Sequence, residues 1–314
     1  MGEAAGPAVR NKGDLRIAVR VWHGFDFDGG HDESKGVDAQ GRLVDVPAHR
    51  HEVSLDYTRL ELALEYTLAR NWDLALHLPY DVKRQTAVVE PRQPASPDQL
   101  AAQQRNLNLH HRSETYRGLS DPLLMVVYRS TGLFPGNDLL RVGLGAALPT
   151  GRTEANPLVR AAAGREHLHI QFGNGTVDPL LELQARASFA RRWGTGLLLA
   201  TRWPAYASDK GFRGPRELTS TLDLRWRATP RLALQAEWTL LRESQAHWDG
   251  LPDPNSGLLV QSLSLGVHVR WPGGSLMSLS LRQPLSQRPL AGGNETFTQG
   301  PALLAQWTRS LGGS

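Results

Sequence analysis

The 314-residue chain contains no cysteine, which excludes a disulfide scaffold and any thiolate metal site. It also lacks an apolar run approaching the roughly 18 to 20 residues that a membrane-crossing helix needs. With a mean hydropathy of −0.37, a helical membrane protein is excluded. Charge of one sign is missing too: 35 Lys+Arg against 31 Asp+Glu leaves +4, too small an excess for a reader of nucleic acid. No linker-like block interrupts the chain, and its 31 Gly, 20 Pro and 9 Trp are spread along it, so one turn-rich unit is expected. Residues 1–13 hold no apolar core of seven or more residues and read as a disordered or appended N-terminal segment, any secretory leader being taken as already removed. Residues 14–311 then form the single domain, and 312–314 a tail.

What is present is period-two alternation, the pattern of a half-buried strand. Leu15, Ile17, Val19 and Val21 alternate with Arg16, Ala18, Arg20 and Trp22. Leu60, Leu62, Leu64 and Tyr66 alternate with Glu61, Ala63, Glu65 and Thr67, and the run from Trp72 to Asp81 repeats the pattern. Further strands are predicted at 117–129, 139–150, 175–190, 193–204, 216–228, 231–243, 258–271, 275–284 and 298–311, about twelve in all. Short connections at 69–71, 132–137, 191–192, 229–230 and 272–274 alternate with long polar ones at 29–49, 86–116, 152–173, 205–215, 244–257 and 285–297. With an even strand number, both termini and every short turn fall at one end. An up-and-down antiparallel transmembrane β-barrel of the Gram-negative outer membrane is built this way, with short periplasmic turns and long extracellular loops. Trp72, Trp193, Trp226, Trp271 and Trp307 fall beside the short turns on the apolar face, as an interfacial aromatic girdle requires.

Three stretches carry a resemblance: Arg59 to Tyr80 (RLELALEYTLARNWDLALHLPY), Gly118 to Arg129 (GLSDPLLMVVYR), and Gly143 to Gly151 (GLGAALPTG) followed by Gly173 to Leu183 (GNGTVDPLLEL). Together they resemble the outer-membrane barrels of the phenol meta-degradation type, although GLSD stands where GLGD is usual and GNGT where GTGS is. The resemblance implies a porin-like barrel that transports small molecules across the outer membrane, with aromatic solutes among the candidates. The residues supply a reason of their own for the glycines. Gly143, Gly145, Gly194 and Gly196 face inward from the fifth and seventh strands and leave room for Glu182, Gln184 and Arg186 on the sixth, or else relieve curvature.

If the apolar faces meet lipid, the lumen collects both signs of charge, and enclosed charges must be paired or wetted. Arg20, His77, Glu182, Arg202, Asp223, Glu237 and Arg282, placed at mid-depth by parity and distance from the short turns, are predicted to set a lumen constriction. Twelve strands lie between the filled eight-stranded barrel and the open sixteen-stranded one. Two interiors stay open: a narrow pore filtered by charge, or a closed, salt-bridged plug. The predicted function is passive uptake of a small organic solute, with membrane lipid as the other partner, no nucleic acid, no cofactor and no assigned metal ligands.

Enzyme chemistry finds little footing. His110-His111, His167-x-His169 and His49-x-His51 could offer imidazoles to zinc or copper, but no spacing names a third ligand, and solvated loop histidines are the expectation. A lipid-modifying hydrolase of the outer membrane, the alternative function, needs a Ser or His on the outward face. Ser220 and Gln261 are the main polar exceptions there, with no histidine beside either. A soluble binding barrel would have to fill too wide an interior.

Overall fold

The computed structural model describes residues 11–133, 138–291 and 297–312; residues 1–10 and 313–314, most of the predicted 132–137 connection and residues 292–296 of the predicted 285–297 connection lie outside them. The chain forms β1 (Leu15–Val37), β2 (Leu43–Ala69), β3 (Trp72–Pro91), β4 (Glu114–Leu119), β5 (Leu123–Ser130), β6 (Leu139–Ala147), β7 (Asp178–Ala190) and β8 (Trp193–Arg202). After these come β9 (Phe212–Arg213), β10 (Glu217–Arg227), β11 (Leu232–Glu243), β12 (His247–Trp248), β13 (Leu251–Pro252), β14 (Leu258–Arg270), β15 (Leu276–Pro289) and β16 (Ala302–Leu311). Thirteen of these segments make one antiparallel sheet. It closes because β1 pairs with both β2 and β16, and β2 with β3. Since β4 and β5 both pair with β3 and share one position in the wall, the closed barrel has twelve strands.

Alternation decides which way each strand faces. Arg16, Ala18 and Arg20 are buried inside, whereas Leu144, Leu222, Leu265 and Leu281 on the outside are 50–61% exposed, an apolar band made for lipid rather than water. Trp72, Trp193 and Trp271 are exposed in that band, and the Trp193 and Trp226 rings lie 6.3 Å apart across neighbouring strands. At the short-turn end, Gly273 and Gly274 both adopt φ +85°, a conformation that costs a side-chain-bearing residue about 1 kcal/mol.

Several predicted boundaries are corrected. The 117–129 strand is broken at Ser120-Asp121-Pro122, where proline lacks the N–H that a ladder needs. The predicted loop at 29–49 is largely strand, and that at 86–116 is a strand end followed by a helix: β1, β2 and β3 run for 23, 27 and 20 residues, about twice the 9 to 11 that cross a bilayer. They project as a pleated wall beyond the barrel, turning at Asp38, whose Oδ1 accepts from the Gln40 and Arg42 N–H groups at 2.9 Å. Against this wall lies α1 (Pro97–His110), opened by a Ser96/Gln99 capping box with Pro97 in the first turn. Its Leu107 is 1% exposed and packs on Val53 and Ala87. Gln103, Arg105 and Asn106 donate to the carbonyls of Pro47, Val37 and Lys35 at 2.7–2.9 Å. The remaining long connections carry α2 (Pro157–Ala162) and a small sheet of β9, β12 and β13. Phe212, Ala246 and Trp248 form the core of that sheet, with Leu158 packed against it.

Candidate functional site

Four of the seven predicted constriction residues, Arg20, His77, Glu182 and Arg202, line one cavity of about 300 Å³ in the outer half of the lumen, whose wall also carries Leu123, Met125, Phe172 and Leu198. Arg20 pairs with Glu61, and His77 Nδ1 lies 3.4 Å from the same carboxylate. Glu182 accepts from Gln184 at 2.7 Å. Arg202 reaches Asp178 at 2.7 Å, Asp121 at 3.2 Å and Glu217 at 3.9 Å. The other three belong to a belt on the far wall, where register aligns Arg186, Gly196, Asp223, Glu237, Ser264 and Arg282 across β7, β8, β10, β11, β14 and β15. Within it, Arg282 pairs with Glu237 at 3.2 Å and Asp223 with Arg225 at 3.2 Å. A Cβ on Gly196 would fall 2.0 Å from Asp223 Oδ2 and 3.4 Å from Arg186 Cγ, so this glycine makes room chiefly for the Asp223 carboxylate of β10 rather than for the long side chains of β7.

Below the cavity the interior narrows. Arg16 and Arg141 both pair with Glu65, at 3.4 and 2.9 Å, with all three side chains no more than 7% exposed. Nearer the short turns Arg129 grips Asp73, which also accepts from Thr67 at 2.7 Å. These charges are buried as pairs, the arrangement that low dielectric demands.

The cavity roof explains the glycine-rich stretches. Asp121 accepts from the backbone N–H of Gly151 at 3.0 Å and of Asn174 at 2.9 Å. Asp178 accepts from Asn174 Nδ2 at 2.7 Å and Thr176 Oγ1 at 2.6 Å, and Arg202 bonds both carboxylates. All three motif stretches after Gly118 thus converge on one guanidinium. A Cβ on Gly173 would stand 2.2 Å from Asp121 Oδ1, and one on Gly151 2.6 Å from the Phe172 carbonyl oxygen, so the segments meet only because side chains are missing there. Phe172 then closes over the cavity, with Lys83 above its ring at 4.9 Å.

Sequence reasoning missed Arg59, Asp121 and Glu217 on this cavity. Arg59 makes a bidentate pair with Asp81 at 2.8 Å and shares inward parity with Glu61 and Glu65, a signal that was there to read. Asp121 sits in the strand break, where parity says nothing. On the outward face, Ser220 and Gln261 fall in one register row with Leu240 between them, and no histidine bonds either among the described residues.

The loop histidines are not scattered in solvent but gathered into a cluster of buried and half-buried rings. Seven of the eleven gather where the strand wall, the end of α1 and the 165–169 segment meet, and His49 and His51 are 0% exposed. Burial, with neighbouring imidazoles adding repulsion, pushes His51 and His169 down to about 3 and His110 to about 2. These three rings are therefore neutral at ordinary pH.

No family model matches the chain, and no curated protein matches it. Among solved structures it is similar to an outer membrane channel from Pseudomonas putida F1, with TM-score 0.62 and 13% identity over 99% of this chain and 100% of that one. The NanC porin aligns with TM-score 0.42 and 9% identity over 91% of this chain and 100% of the other. The toluene transporter TodX of Pseudomonas putida gives 0.37 and 9% over 95% and 88%. The first of these likenesses establishes the fold: a closed twelve-stranded barrel of the outer-membrane channel type.

Proposed function

We propose that the protein is an outer-membrane channel for passive uptake of a small polar or zwitterionic organic solute. The observation that carries this is the cavity of about 300 Å³ beneath the Phe172 roof, walled by Arg20, Arg59 and Arg202 on one hand and Glu61, Asp121, Glu182 and Glu217 on the other. Opposite charges held on separate strands at one depth can orient a dipolar solute. A lipid-facing exterior and a polar interior support a position across the outer membrane. The predicted constriction then consists of Arg20, His77, Glu182 and Arg202 at the cavity and of Asp223, Glu237 and Arg282 in the belt. The resemblance to phenol-pathway barrels adds aromatic solutes, for which Phe172 supplies a ring on the cavity wall.

The Arg16–Glu65–Arg141 group favours a second reading, a closed structural barrel, because those side chains lie in the lumen as buried pairs. Proteoliposome swelling separates the two. Swelling with a zwitterionic amino acid or small polar acid, faster than in empty liposomes and slowed by bulkier analogues, is the result expected of a channel. Swelling no faster than in empty liposomes for every solute tried would leave the closed barrel.

A further inference from the structure

Outside the lumen, the most concentrated chemistry in the molecule is the imidazole cluster at the outer end. His31 on β1 and His51 on β2 are register partners across the strand wall. His110 is the last residue of α1, and His111 caps that helix through its N–H to the Leu107 carbonyl at 2.7 Å. One ring nitrogen from each of these four falls within 4.8 Å of the other three. Around them stand His49, His167 and His169, the His167 ring stacked on His110 at 5.3 Å and His169 on His111 at 5.4 Å.

Hydrogen bonding fixes which nitrogens hold lone pairs. A carbonyl oxygen only accepts, so His49 Nδ1, 3.1 Å from the Pro47 carbonyl, carries the proton and His49 Nε2 is an acceptor. His51 Nε2, 3.2 Å away, then donates to it, which leaves the His51 Nδ1 lone pair pointing at His110 Nε2, also 3.2 Å away. Likewise His167 Nδ1 donates to the Arg165 carbonyl at 2.8 Å, leaving its Nε2 free to accept. These are the outer contacts that set the tautomer and aim of a metal-binding histidine. His111 Nε2 is buried with no hydrogen-bond partner, a costly state that a bound cation would relieve.

We propose that this cluster is a binding site for one divalent first-row transition ion of the zinc, copper or nickel class, held by His31, His51, His110 and His111. The donor set is wholly imidazole, which suits those ions and not calcium or magnesium. Bonds of about 2.0–2.1 Å in a tetrahedron place the ligand nitrogens roughly 3.3–3.4 Å apart; the His51–His110 pair is already at that spacing, and the half-buried His31 ring has freedom to close the remainder. The nearest acids in the adjoining cleft are engaged elsewhere: Asp32 with Arg50, and Glu33 with the N–H groups of Ser34 and Lys35. That cleft, about 340 Å³, gives an ion its way in. A bound ion would pin the end of α1 to the strand wall.

The test uses the full chain without a histidine tag, refolded in detergent, stripped with EDTA and titrated calorimetrically with ZnCl2, NiCl2, MgCl2 and CaCl2. One zinc equivalent per chain is expected, with a Kd on the order of micromolar or tighter, and no heat from magnesium or calcium. Cobalt(II) at the same site should show the intense visible bands of four-coordinate geometry. His51→Ala and His110→Gln should each weaken zinc by roughly tenfold or more, while His23→Asn, on a distant part of β1, leaves it unchanged. Because His51 is fully enclosed, His31→Asn and His111→Gln supply variants less apt to disturb folding, and heat-modifiable gel migration confirms that each barrel forms. No zinc binding at millimolar concentration, or zinc binding equally strong in all four cluster variants, would overturn the assignment and leave a hydrogen-bonded histidine relay.

Discussion

Replacing Asp121 with asparagine perturbs the cavity roof at the point where its segments meet. The carboxylate is 4% exposed and takes three bonds, from Gly151 N–H, Asn174 N–H and Arg202. An asparagine with its oxygen at the Oδ2 position turns the Gly151 contact repulsive and leaves the bonds to Asn174 and Arg202 without charge assistance. Hydrogen bonds to a charged group contribute about 1.5–3 kcal/mol each, but Arg202 keeps Asp178 at 2.7 Å and water from the cavity replaces part of the loss. A net cost of about 2–4 kcal/mol follows, borne by the 148–177 segment more than by the barrel. At about 1.4 kcal/mol per factor of ten, the open population of that segment rises roughly 30-fold or more. Limited trypsinolysis of the refolded protein reads this directly: cutting after Arg152, whose side chain is half exposed, should accelerate by about that factor while the barrel resists. Equal cutting rates in Asp121→Asn and wild type, with an unchanged urea midpoint, would refute the claim that the Asp121 node holds the roof.

Three further outcomes are expected. Gly173→Ala, whose Cβ would meet Asp121 Oδ1 at 2.2 Å and the Gly151 Cα at 2.9 Å, should destabilise by about 2 kcal/mol or more, whereas Gly41→Ala, in open space at φ +78°, should cost only about 1 kcal/mol; chemical denaturation in detergent compares them. Trypsin applied to intact cells should nick the exposed residues after Arg92 but spare Arg105, whose Nε is bonded to the Val37 carbonyl at 2.7 Å; protection at Arg92 with cleavage at Arg231 would reverse the orientation. Unboiled protein should migrate differently from boiled protein on a denaturing gel, and identical migration together with a monomer soluble in plain buffer would contradict the lipid-facing exterior.

Much of the barrel is legible because its wall obeys one rule. Leu60, Leu62 and Leu64 against Glu61 and Glu65 fixes two faces at once, and the same parity puts the seven residues predicted for the constriction on inward faces. The rule fails where a strand leaves the membrane: residues 29–49 have both faces wetted or packed on α1, so their pattern is polar and reads as loop. The helix itself was signalled by Ser96-Pro97-Asp98-Gln99, a capping box followed by good helix formers. Asp121 was hidden because a proline break has no parity. His49-x-His51 places two rings on one face of a strand, but the cluster needs partners about 20 to 120 positions away, and only tertiary structure brings these together.

Single-channel recording in planar bilayers, with wild type, Arg20→Ala and Glu182→Gln refolded in parallel, bears most directly on whether the lumen conducts. Discrete conductance steps in wild type are expected, with the reversal potential in a salt gradient moving toward cation preference in Arg20→Ala and toward anion preference in Glu182→Gln. A silent wild type that conducts only after Arg20→Ala would contradict the channel and identify the charges as a plug.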